Sequence, residues 1–161
     1  LEASGIRKIV KRLIRKTGTN NPFEICKNLG IYIEYKDLGN VLGFFKYNRR
    51  QKFIFINNRL CLMMAKQVCA HELGHVTLHP CVNTVFLDIC TYAVTEKFEN
   101  EANKFAAELL ISNEDILENK EKSIEAIACL LEVSKNLVEF KMEGLYANPN
   151  LIKNHSYFNE R

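Results

Sequence analysis

The stretch that most narrows what this chain can fold into is His71-Glu72-Leu73-Gly74-His75. Histidines four apart share one face of an α-helix, so both rings can reach a single metal ion. The pattern, HExxH, is the one that zinc peptidases carry on a helix, with the glutamate beside the metal to act on a bound water. The surrounding segment, residues 60–78, is apolar on nearly every side: Leu62, Met63, Met64, Ala65, Val68, Cys69, Ala70, Leu73 and Val76. A helix with no polar face is covered all round, which makes this one the centre of the fold. Two imidazoles and a carboxylate carried into such a place need partners, and a divalent metal provides them.

The rest of the chain is read outward from that helix. Ile6, Ile9, Val10, Leu13 and Ile14 recur at helical spacing among Arg7, Lys8, Lys11, Arg12, Arg15 and Lys16. This predicts an amphipathic first helix that ends near Gly18 and turns its basic face to solvent. Asn20-Asn21-Pro22 caps a short second helix, which Gly30 ends. Residues 31–35, 41–47 and 52–56 alternate or are rich in β-formers, which predicts three short strands, the last two joined by the polar turn Asn48-Arg49-Arg50. A sheet packed on the central helix would leave one strand edge beside the metal, where an extended peptide could pair with it. Beyond His79-Pro80 the helix must stop, and residues 81–94 read as a loop or short helical detour. Helical period returns from Thr95, with Phe98, Ala102, Phe105, Ala106, Leu109 and Leu110 on one stripe. Ser112 and Ser123 are caps for two further short helices, and Glu132-Val133-Ser134 turns into a last one ending near Gly144. The fold class is α+β: a small three-stranded sheet on a central HExxH helix, with further helices toward the C-terminus. Residues 1–146 read as one domain and residues 147–161 as a loosely held tail.

A catalytic zinc has three protein ligands and one open position, so a third ligand must come from elsewhere. His79 is eight residues from His71, about 12 Å along a helix axis, too far for two nitrogens that must lie within about 4 Å. It reads as a helix-end residue or pocket liner. The helix after the loop offers Glu96, Glu99, Glu101 and Glu108. At about 100° per residue, Glu99 sits at the edge of the apolar stripe, some 60° from its centre near Ala102, and the other three lie roughly 100–120° away. Only Glu99 easily faces a packed helix, and Glu96, Glu101 and Glu108 are expected to face solvent. Ala102 is small enough to let two helices approach, and Asn103 could orient a ligand. An oxyanion donor is not singled out; Tyr92, Tyr146 and His155 are the candidates.

Several classes are excluded by simpler features. A net charge of +3 does not announce a nucleic-acid partner. No apolar run approaches the roughly 18 uncharged residues of a membrane helix. The N-terminal segment is basic and amphipathic, without the apolar core of a signal peptide. Six cysteines (Cys26, Cys61, Cys69, Cys81, Cys90 and Cys129) form no CxxC pair and read as buried, reduced thiols of a cytoplasmic protein.

At this point the chain resembles the ImmA/IrrE family of bacterial and phage metallopeptidase-like proteins. The residues that carry the likeness are His71-Glu72-Leu73-Gly74-His75-Val76-Thr77-Leu78-His79, followed by Glu99, Ala102, Asn103, Phe105, Ala106, Ala107, Leu109 and Leu110. Asn21-Pro22-Phe23-Glu24-Ile25 and Phe53-Ile54-Phe55-Ile56-Asn57 match the family's layout upstream, so the likeness covers roughly residues 5–145. It implies a gluzincin-like α+β core, zinc held by His71, His75 and Glu99, and Glu72 as catalytic base. It also implies a zinc endopeptidase that activates a metal-bound water and cleaves a helix-turn-helix repressor, often on a mobile element. The alternative is a binding module that docks to a transcription regulator without cleaving it, although such a module has no need of Glu72. Ser112 departs from the family, which usually has proline there.

Residues 123–144 also have the look of a helix-turn-helix. Lys135 and Lys141 are the only cations of the would-be recognition segment, against Glu132, Glu139 and Glu143, which is poor for phosphates. A packing or substrate-docking role is expected there, and direct DNA binding is not.

Overall fold

Order along the chain follows the hydrophobic periods closely. In the computed structural model, which describes residues 1–79 and 92–147, α1 (Ala3–Thr17) and α2 (Pro22–Asn28) precede β1 (Ile31–Lys36), β2 (Gly43–Asn48) and β3 (Gln51–Asn57). The central helix α3 (Leu62–Leu78) follows, then α4 (Tyr92–Leu110), α5 (Asn113–Glu118), α6 (Ile124–Leu130) and α7 (Lys135–Tyr146). Gly18 ends α1 in the left-handed conformation that a residue without Cβ adopts cheaply. Asn21 caps α2 with its side chain, and Ser112 forms a reciprocal capping box with Asp115. The serine that stands where proline was expected therefore starts a helix by another route. Helix α4 begins by Tyr92, before the Thr95 that periodicity indicated. The sequence reading of residues 81–91, and of the tail beyond residue 147, falls outside the described residues.

The sheet has the order β1-β3-β2, with β1 parallel and β2 antiparallel to the central β3. Crossing from β1 to the far side of β3 requires a connection over the strand ends, and Asn57 pins it. Its buried side-chain amide donates to the carbonyls of Gly39 (3.0 Å) and Val41 (2.8 Å). One face of the sheet, with Phe45, Ile54 and Ile56 buried, lies against α3. The opposite side of α3 is covered by α4, which also packs on α1 and α7. A sheet on one side and a helix on the other explain why α3 is apolar all round. Its first turn is the exception, since Leu62 and Met63 are exposed.

Where α3 crosses α4, a Cβ on Gly74 would lie 3.2 Å from the Cα and carbonyl oxygen of Ala102 and from the Cβ of Phe105. Glycine and alanine face each other here because nothing larger fits between the two backbones. Helix propensity favours Gly74→Ala by about 1 kcal/mol, but overpacking against backbone costs about 1–3 kcal/mol. The expected net result is a lower urea midpoint. A raised midpoint would show that the crossing has slack.

Candidate metal centre

His71 and His75 project from consecutive turns of α3, with ring centroids 4.8 Å apart and edge-to-face. Their Nε2 atoms approach to 3.1 Å. Across the crossing, Glu99 of α4 brings Oε2 to 3.2 Å from Nε2 of His71 and Oε1 to 3.2 Å from Nε2 of His75. The donor atoms of the three all lie within 4.8 Å of one another. Asn103, one turn after Glu99, completes the arrangement: its Oδ1 is 2.9 Å from Nδ1 of His71. A proton on Nδ1 is then donated to Asn103, and the lone pair of Nε2 is left pointing at Glu99 and His75. The helix phase that set Glu99 apart from the other glutamates thus corresponds to its position.

Three electron-pair donors aimed at one point repel each other unless positive charge lies between them. The titration behaviour expresses this. Glu99 is held well below the ordinary carboxylate range by its hydrogen bonds to His71 and His75 and by their charges. Burial works against the His71 imidazolium, yet the Glu99 hydrogen bond and the charges of Glu72 and Glu99 outweigh it and raise the pKa. Two imidazoles and a carboxylate that converge on one point are a donor set that fits a divalent metal.

Glu72 lies beside this trio without joining it. Only 7% of it is exposed, and the backbone N–H of Phe45 on β2 donates to its carboxylate. Burial pushes its pKa up, partly offset by His71 and His75. The close approach of β2 to α3 depends on Gly43, where a Cβ would stand 2.4 Å from a Val68 methyl. Together these elements frame a cleft of about 420 Å³ whose walls include Phe44, Phe45, Val68, His71, Glu72 and Leu137.

The other expected site residues fall as follows. His79 ends α3, its Nε2 stands 3.3 Å from Oε2 of Glu101 and its ring rests on Phe98, so it is no member of the trio. Close as they are, the two groups are not aligned for a hydrogen bond. Tyr146 is exposed and does not line the cleft, whereas the side chains of Tyr92 and His155 lie outside the described residues.

Three solvent-facing expectations are overturned. Glu101 is buried, at 6% exposure, against His79 and the chain's first residue. Glu108 is buried between Arg7 (Nη2 to Oε1, 2.7 Å) and Lys141 (Nζ to Oε2, 2.8 Å), and Arg7 also reaches the carbonyl of Gly144 at 2.9 Å. Arg7 therefore leaves the basic face of α1 for the interior. Helix phase alone gives α4 one buried side, whereas α1, α3 and α7 cover it on several. Of the six cysteines read as buried, Cys26 and Cys69 are, with sulfurs 3.9 Å apart, whereas Cys61 and Cys129 are exposed and Cys81 and Cys90 lie outside the described residues.

The start of α7 closes one side of the cleft. The amide of Ser134 donates to Oε1 of Gln67 at 2.8 Å, and Leu137 stands in the wall. Lys141 is buried and Lys135, half exposed, pairs with Glu125 at 2.6 Å, so α7 presents no unpaired cation to a phosphate. Gly43, Gly74, Gln67 and the Phe45 amide were not legible as site residues, because each acts through a contact distant in sequence. No helix among the described residues is long and apolar enough to cross a membrane.

The chain is 38% identical over 139 residues to the "Uncharacterized immunity region protein 2" of Bacillus phage phi105, covering 84% of this chain and 88% of that protein. It is 33% identical over 159 residues to the "Metallopeptidase ImmA" of Bacillus subtilis (strain 168), covering 95% of this chain and 93% of the relative. Residues 26–143 match the model of a peptidase family described as the IrrE N-terminal-like domain, a span that holds the whole His-Glu-His-Glu constellation. The chain belongs to the IrrE N-terminal-like family of peptidases.

Proposed function

We propose that the chain is a zinc-dependent endopeptidase in which His71, His75 and Glu99 hold the metal and Glu72 is the general base. Its proposed substrate is a helix-turn-helix transcriptional repressor in the cytoplasm. The observation that carries this reading is the convergence of three donors beside a separate, buried carboxylate in an apolar cleft. One relative is named a metallopeptidase and another is named for a phage immunity region, which supports the activity and a regulatory setting.

Zinc, when bound, supplies a Lewis acid that polarises a carbonyl and acidifies water to a pKa of about 7. The remaining work belongs to the chain. Asn103 holds the His71 ring so that Nε2 faces inward. The Phe45 amide fixes the orientation of the Glu72 carboxylate. That carboxylate accepts the proton of the attacking water, and burial raises its basicity for the task. As the C–N bond breaks, Glu72 returns the proton to the leaving amine. The outer edge of β2 supports the peptide by main-chain pairing, and the cleft accepts an apolar side chain next to the bond.

The purified protein should hold about one zinc per chain, as a single three-ligand site requires. Glu99→Ala leaves two histidines and should lose the metal on dialysis against a mild chelator. Glu101→Ala should keep it while unfolding at lower temperature, because its partner His79 is buried. Zinc retained by the Glu99 variant and lost by a folded Glu101 variant would reverse the ligand assignment. Failure of the zinc-loaded chain to cleave a regulator encoded beside it would favour docking without cleavage.

A further inference from the structure

The tip of the β2–β3 hairpin has a composition that folding alone does not ask for. Its two turn residues, Arg49 (φ 48°) and Arg50 (φ 65°), both sit in the left-handed region. A two-residue turn of that hand strongly prefers Asn-Gly, because a Cβ is strained there. Two arginines are an unfavourable choice for the backbone, and strain of this kind is concentrated at functional places. Both side chains are exposed, as is that of Lys46, and none of the three has an ion-pair partner among the described residues. From Leu38 to Ala70 the sequence contains no carboxylate side chain, so none next to the tip along the chain offsets its positive charge.

The tip is also connected to the cleft by an open strand edge. In an antiparallel pair, alternate residues exchange both of their hydrogen bonds with the partner strand. Leu42 accepts from the amide of Asn57, so Phe44, Lys46 and Asn48 bond to β3 while Gly43, Phe45 and Tyr47 turn their main-chain groups outward. The bond from the Phe45 amide to Glu72 agrees with that parity. Among the described residues no strand pairs with this outer edge. From Phe45, beside the proposed base, to Arg49 is four residues of strand, roughly 13 Å.

We propose that the hairpin tip is an exosite for acidic residues of an extended peptide that adds to the outer edge of β2. The proposal rests on the peptidase reading above and names a property of its substrate: carboxylates about four residues from the bond at Glu72. A peptide is favoured over nucleic acid because the open main-chain edge leads directly from the cations to the cleft. With Lys52, which pairs with Tyr47 across the hairpin, the tip has four cations, still few beside the roughly six to ten phosphate contacts that a DNA-binding protein can make.

The test uses the full chain carrying Glu72→Gln, so that binding is read without turnover. Fluorescence anisotropy would compare three labelled peptides that share an apolar core. One has Asp-Asp-Glu four residues before the core, one has it four residues after, and one has Gln-Gln-Gln instead. One acidic peptide should bind about tenfold more tightly than the neutral one at low salt, and the advantage should shrink as salt is added. Adding R49N and R50G removes two of the tip's charges and installs the preferred turn, so the hairpin persists and the ratio should fall at least about threefold. Equal affinity for all three peptides overturns the proposal. So does a duplex oligonucleotide whose binding is lost with R49N/R50G while no acidic peptide is preferred. Acidic preference without any cleavage by the wild-type chain would leave the exosite standing and sink the peptidase reading; cleavage without preference would do the reverse.

Discussion

Glu72→Gln is expected to hold zinc as well as the parent chain and to hydrolyse a verified substrate at least about a hundredfold more slowly. The size follows from general-base catalysis, which contributes about 10²–10⁴ in rate. The separation of binding from activity follows from position. Glu72 is buried beside the metal-facing trio, held by the Phe45 amide, and supplies none of the three converging donors. Glutamine has the same shape but cannot accept the proton. Metal analysis and a cleavage assay on the same preparation provide the check. Undiminished cleavage would remove Glu72 from the mechanism, and loss of zinc would make it a ligand.

Glu108→Ala should have the largest effect on stability, a loss of about 3–5 kcal/mol, because it strands two buried cations. Its carboxylate is shared by Arg7 and Lys141, and the three tie α1, α4 and α7 together. Burial alone would raise the Glu108 pKa, but the Arg7 hydrogen bond and the Lys141 charge outweigh it, and the net shift is downward. Lys141 is shifted down too, since its deeper burial exceeds what a shared carboxylate returns. For Glu108 the sign is that of a depressed acid. Its contribution is fully present above the unfolded value of about 4.3 and drains away as pH falls through the lower folded value. Urea titrations at pH 7 should show the destabilisation. Substituting all three together, Glu108→Met with Arg7→Met and Lys141→Met, should recover much of it, because an apolar cluster no longer strands a charge. A cost below about 1 kcal/mol for Glu108→Ala would mean that water reaches the cluster.

How much of this was legible beforehand depends on the range of the interactions concerned. The histidine pair at i and i+4, the strand alternation from Ile31 to Ile56, and the caps Asn21, Ser112 and Ser123 all depend on neighbours within a few residues. Each was read directly, and the observed elements agree to within about three residues at their ends. Glu99 was legible for a similar reason: helix phase is local, and Ala102 marked the side on which another helix could approach. The same phase argument failed for Glu101 and Glu108, and for Arg7 on α1. It counts one buried side per helix, and α4 is covered by three other helices.

The sequence by itself determined the α+β class of the scaffold and singled out His71, His75 and Glu99, the three donors that the fold brings together. The tertiary structure alone decided how these parts meet. It set Gly74 against Ala102 so that Glu99 reaches both histidines, and Gly43 against Val68 so that β2 runs past Glu72. It put Leu137 and Gln67 at the cleft and enclosed Glu108 between two cations. The physical reason is that periodicity records only how a segment divides its faces between core and solvent. The identity of the neighbour on a buried face depends on contacts between residues that lie from 25 (Gly43 and Val68) to 101 positions apart (Arg7 and Glu108), and no local pattern encodes them.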